Sequence, residues 1–147
     1  MFASDFPVLN QGGTMAIKAK TGWQVLLVAI WINFSGSVRW MLFARPRFEA
    51  LYKGMGLEYP HTPLINILWV LWGVLAAVLV VFLSKKFTSL HTMVLSWLVV
   101  FAMTWIVLWN SAVLPLDLLW IAVPWSLFEI FVAVLISNRL QGRSAAN

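Results

Sequence analysis

The sequence predicts an all-α integral membrane protein: a four-helix bundle, up-down-up-down, with a short amphipathic interfacial helix after the first span. Three observations carry that expectation. Four apolar stretches, Trp23–Ala44, Leu64–Leu83, Leu90–Asn110 and Leu118–Ser137, each approach the roughly 20 residues a helix needs to cross a bilayer. Apolar residues make up 62% of the 147-residue chain and charged residues 10%, against about 25% charged in an average soluble domain. The basic residues also fall where a four-span topology needs them. Lys18 and Lys20 precede the first span, Lys85 and Lys86 lie between the second and third, and Arg139 and Arg143 follow the fourth, all on one side. The opposite side has Arg45, Arg47 and Lys53, offset by Glu49 and Glu58. The positive-inside rule then puts both termini in the cytoplasm, with the cell inner membrane as the expected location. The net charge of +5 is thereby a topology signal, and nucleic acid is not an expected partner.

Short connections leave no room for a soluble domain, so residues 1–147 form a single membrane domain. The absence of cysteine excludes disulfides, thiolate nucleophiles and cysteine metal sites. The expected spans are about 22–44, 63–84, 90–111 and 118–138, with the interfacial helix at about 46–55.

Residues 1–20 are expected to be disordered: the first 14 are polar and turn-rich, with Pro7 and Gly12-Gly13. The first span is too long for a signal-peptide core and has no small-residue cleavage site, so it reads as an anchor. Gln11-Gly12-Gly13-Thr14 ahead of Met15 fits a purine-rich ribosome-binding sequence, which makes Met15 a candidate start. Within the first span, Trp23–Ile32 is continuously apolar before Asn33, Ser35, Gly36, Ser37 and Arg39 interrupt it. Phe48, Leu51, Tyr52 and Met55 then recur at helical spacing with charges on the other faces, predicting a surface helix ended by Gly54 and Gly56.

Thr62-Pro63 opens the second span with a capping hydroxyl and then proline at the first helical position. Lys85-Lys86 closes it with charge favourable to the helix dipole. The next connection is short enough to make spans two and three antiparallel neighbours, with Ser89 as the expected cap of the third. Asp117 is the expected cap of the fourth, and Pro124 should bend it. Of the ten tryptophans, Trp40, Trp69, Trp72, Trp109 and Trp120 read as an outer aromatic belt and Trp23 and Trp97 as an inner one. Trp31, Trp105 and Trp125 lie deeper and are candidates for a pocket wall.

The fourth span carries one informative stripe. Ala122, Ser126, Glu129, Ala133 and Ser137 share a face and are small or polar, which predicts close helix packing there. Gly73 and Ala77 make a weaker small pair on the second span. Glu129 falls about 16 Å below the outer start of its helix and Arg39 about 7–8 Å below its own outer end. An ionisable group at such depth is a functional candidate by default. Because helical Cα–Cβ bonds tilt toward the N-terminus, side chains on these antiparallel spans lean toward each other. The expected site is therefore an Arg39–Glu129 contact, direct or through water, with Asn33, Ser35 and Ser37 completing the hydrogen bonds. Ser126 belongs to the same polar cluster, and Asn66 and Asn110 are expected to join from above.

No cofactor or metal is expected: His61 and His91 fall on opposite sides, roughly a bilayer apart. His61, Ser111 and Asp117 share the outer side, but no nucleophile elbow or other catalytic signature surrounds them. No phosphate loop or dinucleotide fingerprint is present. In general terms the chain resembles small four-span proteins of bacterial inner membranes, a likeness that implies no activity. The expected role is a non-enzymatic membrane or assembly component whose partners are the lipid bilayer and either further copies of itself or a larger membrane protein. The alternatives are binding or transport of a small apolar ligand around Arg39 and Glu129, and an enzyme acting on a lipid-like substrate.

Overall fold

The computed structural model describes residues 11–142, with side chains from Lys20 onward. The fold is all-α, with four helices long and apolar enough to cross a membrane. The first crossing begins as α1 (Gln11–Arg39), passes through a π-helical turn (Trp40–Ala44) and continues as α2 (Arg45–Gly54). The second crossing is α3 (Pro63–Lys86). The third is α4 (Ser89–Trp97), a second π-helical turn (Leu98–Ala102) and α5 (Met103–Asn110). A 3-10 turn (Leu116–Leu118) leads into the fourth, α6 (Leu119–Gln141).

One expectation needs correction. Residues 11–20, expected to be disordered, lie within α1; from Met15 the segment is Ala-, Lys- and Ile-rich, and an established helix extends through such residues at little cost. The expectation for residues 1–10, like the charge of Arg143, falls outside the described residues. The amphipathic segment forms α2 close to the expected 46–55, and it is continuous with the first crossing. Arg39, Ala44 and Arg45 all keep right-handed helical dihedrals, so the helix runs without a break from Lys20 to Gly54. Its 35 residues would span about 50 Å at 1.5 Å per residue, well beyond a hydrocarbon core of about 30 Å. Pro46 does not break it because proline is tolerated in a first helical turn.

Helix ends follow the expected chemistry in part. Gly56, at φ +73°, is the left-handed residue that stops α2, with Leu57 N–H bonded back to the Tyr52 carbonyl. Pro63 opens α3, though the Thr62 hydroxyl does not cap it. Thr88, not Ser89, caps α4: its Oγ1 accepts from His91 N–H, while Ser89 accepts from Asn138 Nδ2 at 2.9 Å. Asp117 does not cap α6 either; it takes a 2.7 Å hydrogen bond from Arg47 Nε. Pro124 sits inside α6 without ending it.

In the bundle, α1 packs against α3 and α6, α4 packs against the same two helices, and α3 touches α6 across the centre. Val28, Ile32, Ala77, Val80, Ile130 and Ala133 form its core. Two ties fix which ends lie together. Lys85 Nζ donates to Thr21 Oγ1 at 2.8 Å, and Asn138 reaches Ser89. Lys20, Lys85, Lys86 and Arg139 therefore share one end, called here the basic end. At the far end, Trp40, Phe48, Tyr52, Tyr59 and His61 stack ring on ring at centroid distances of 5.2–6.3 Å. Burial in that stack, helped by the neighbouring Tyr52 and Glu49, pushes the Tyr59 phenol above its ordinary range.

Candidate functional site

The stripe on α6 faces the bundle interior along its whole length: Ala122, Ser126, Glu129, Ala133 and Ser137 are all buried. Glu129 is fully enclosed, its side chain 0% exposed. Small neighbours at i−3 (Ser126) and i+4 (Ala133) let α1 and α6 approach closely enough to surround it. Gly36 of α1 faces it: a Cβ there would stand 4.0 Å from Glu129 Oε1, an ordinary contact.

Arg39 reaches that carboxylate from the first crossing. Its Nη2 lies 3.9 Å from Glu129 Oε2, an ion-pair distance beyond hydrogen-bond range. The guanidinium also lies over the Phe101 ring, 4.9 Å from its centroid. Such a cation–π contact contributes about 2 kcal/mol when desolvated. Among the described residues no hydrogen bond reaches the guanidinium, and its side chain keeps 16% exposure. Ser35 Oγ donates to Glu129 Oε2 at 3.3 Å and accepts from Trp125 Nε1 at 3.1 Å. Trp31 Nε1 donates to the Glu129 backbone carbonyl at 2.9 Å. One turn along α6, Ser126 Oγ accepts from Trp97 Nε1 at 3.0 Å and donates to the Val123 carbonyl. Glu129 Oε1 has no partner among the described residues.

Of the expected cluster, Arg39, Glu129 and Ser35 come together, and Ser126 lies beside them with its own indole partner. Four other residues do not join. Ser37 is exposed, because one residue beyond Gly36 turns a helical side chain about 100° away. Asn33 packs on Gly73 of α3 and returns its Nδ2 to the Ala29 carbonyl at 2.9 Å. Asn66 and Asn110 are exposed at the far end and never turn inward.

The sequence reading missed Trp97, Trp125 and Trp31 as donors and Phe101 as the surface under Arg39. A deep indole N–H requires an acceptor, so Trp31 and Trp125 were legible in principle; Trp97, read as an interfacial belt residue, is half-buried instead. Both π-helical turns also adjoin this site, one following Arg39 and the other containing Phe101. Such turns often occur where a helix redirects side chains for function.

Other chemistry is not assembled. His61 Nε2 lies 3.6 Å from Glu49, Ser111 bonds its own helix and Asp117 holds Arg47, so these three do not form a triad. Among the described residues no three metal-ligating side chains cluster. Two shallow hollows are open and mainly apolar. One, of about 310 Å³, is lined by Trp69, Trp72, Met103, Thr104, Val107 and Leu108; the other, alongside, shares Trp69 and Trp72. Neither contains Arg39 or Glu129. Compared with known protein families, curated proteins and solved structures, the chain shows no significant match.

Proposed function

We propose that this multi-pass protein is a non-enzymatic component of a cell inner membrane that acts by assembling with itself or a larger membrane partner. The observation that carries this reading is the enclosure of Glu129. Its charge is spent on Arg39 and Ser35 inside the bundle, and neither open hollow leads an organic substrate to it. The exposed residues of α3 and α5 around Trp69 and Val107 would supply the contact face. Both termini lie in the cytoplasm on this reading, because the basic end collects Lys20, Lys85, Lys86 and Arg139.

The natural absence of cysteine makes the test direct. Single cysteines replacing Leu68 or Val107 should cross-link in native membranes, whereas one replacing Ile30 on α1 should not. Native mass spectrometry of gently solubilised protein should show more than one chain, or a protein partner. A persistent monomer with no cross-link at either position rejects the proposal.

A second reading is favoured by one specific observation, the Arg39 guanidinium without hydrogen-bond partners among the described residues. Phe101, on which it lies, contacts Trp72 at 5.4 Å, and Trp72 lines both hollows. An amphipathic anion could place its chain in the groove and its head near Arg39. Retention of a lipid-like molecule by the wild type and its loss in Arg39→Met would support this alternative.

A further inference from the structure

We propose that the basic half of the bundle interior is hydrated: ordered water enters from the face bearing Lys85, Lys86 and Arg139, runs to Glu129, and makes that carboxyl protonatable from this face. The inference rests on where buried polar atoms lack partners. Among the described residues these are Gln24 Oε1, Thr92 Oγ1, Ser96 Oγ and Glu129 Oε1. Depth can be counted from the ties at the basic end, Thr21 to Lys85 and Ser89 to Asn138. At 1.5 Å per residue, Gln24 and Thr92 lie about 4–5 Å in, Ser96 about 10 Å and Glu129 about 13–14 Å. Every orphan thus lies between the basic end and the carboxyl, contributed by the first, third and fourth crossings.

The far half differs. Ser35 and Ser126 each both donate and accept, and Thr104 donates to the Val100 carbonyl. Beyond the carboxyl lie the edge-on pair Trp72–Phe101 and the Arg39 guanidinium, a donor that competes for no proton.

A buried polar group without a partner costs about 1–3 kcal/mol, and native proteins meet that cost with bound water. Along the bundle axis, successive orphans are separated by no more than about 6 Å. Arg39 is the charged group facing this carboxyl from the first crossing. Ionisable side chains are absent from residues 63–84, and the third crossing has only His91, near its basic-end start. Nothing else on those helices competes for the proton.

The test is labelling of Glu129 by dicyclohexylcarbodiimide, which attacks protonated carboxyls in membranes. The intact protein is reconstituted in phosphatidylethanolamine–phosphatidylglycerol vesicles with pH set separately on each side, and labelling is read by mass spectrometry. Raising pH at the basic face should slow labelling several-fold; raising it at the far face should not. The double variant Thr92→Val/Ser96→Ala should lose most of that response. Absence of labelling at any pH, control by the far face, or an undiminished response in the double variant overturns the proposal. Radiolytic labelling of the unaltered protein in 18O-water gives an independent readout should the variant fail to fold. Modification of the enclosed Val28, Val80 and Val134 is expected, and its absence is equally fatal.

Discussion

Removing a carboxylate from water costs several kcal/mol, and the attraction of Arg39 at 3.9 Å offsets only part of that. What a single substitution reveals is therefore the cost of stranding the partner. Arg39→Met or Glu129→Leu alone should destabilise the bundle by about 3–5 kcal/mol, while the double variant loses much less. A double-mutant cycle in denaturant titration measures the coupling. A second residue-scale prediction concerns Gly73, where a Cβ would meet the Asn33 amide at 2.6–2.8 Å. Gly73→Ala must rotate that amide off the Ala29 carbonyl, at about 1–2 kcal/mol. Adding Asn33→Ala should restore most of the loss in the same titration. The Arg39–Glu129 meeting was legible because side-chain tilt on antiparallel helices is fixed by backbone geometry. The Asn33–Gly73 contact was not, because it depends on how far α3 is rotated about its own axis.

Helix ends and helix defects set what each element can do. Ala112 adopts φ +54° in the position where Gly56 ends α2, and Val113 N–H closes back on the Leu108 carbonyl. A Cβ in that left-handed conformation is strained, so Ala112→Gly should stabilise the protein by about 1 kcal/mol, seen as a higher midpoint of thermal unfolding. The π-helical turns make a sharper prediction. A π turn accommodates one extra residue while the helix on either side keeps its facing. Deleting Val99, exposed within the Leu98–Ala102 turn, should therefore leave the bundle assembled. Deleting Leu75, equally lipid-facing on the regular α3, should rotate half that helix by about 100° and disrupt it. Yield of folded protein by size-exclusion chromatography separates the two outcomes. Apolar run length located all four crossings, though the first helix runs ten residues past the expected 44 to Gly54, but it was blind to these turns. A π turn uses the same residue types as the α-helix around it, and no local signal announces the extra one.

At the scale of the molecule, charge placement governs how the chain sits in its membrane. Lys20, Lys85, Lys86 and Arg139 lie at one end, while Arg45 is paired with Glu49 and Arg47 with Asp117 at the other. Reporter fusions at either terminus should both read cytoplasmic. Lys85→Ala/Lys86→Ala should leave that orientation intact, because the charges flanking the first and fourth crossings remain. Composition and hydropathy alone determined that four helices would cross a bilayer, that the basic residues would share an end, and that one face of the fourth helix would be packed. Each of these is a property of a single segment and its solvent, fixed by backbone period and residue type. Only the tertiary structure decided that α2 continues the first crossing, that Asn33 turns to Gly73 while Ser35 meets Glu129, and which acceptors the three indoles meet around the site. Those outcomes depend on the rotation and register of one helix against another. Many small packing contacts set both, and no stretch of sequence encodes them by itself.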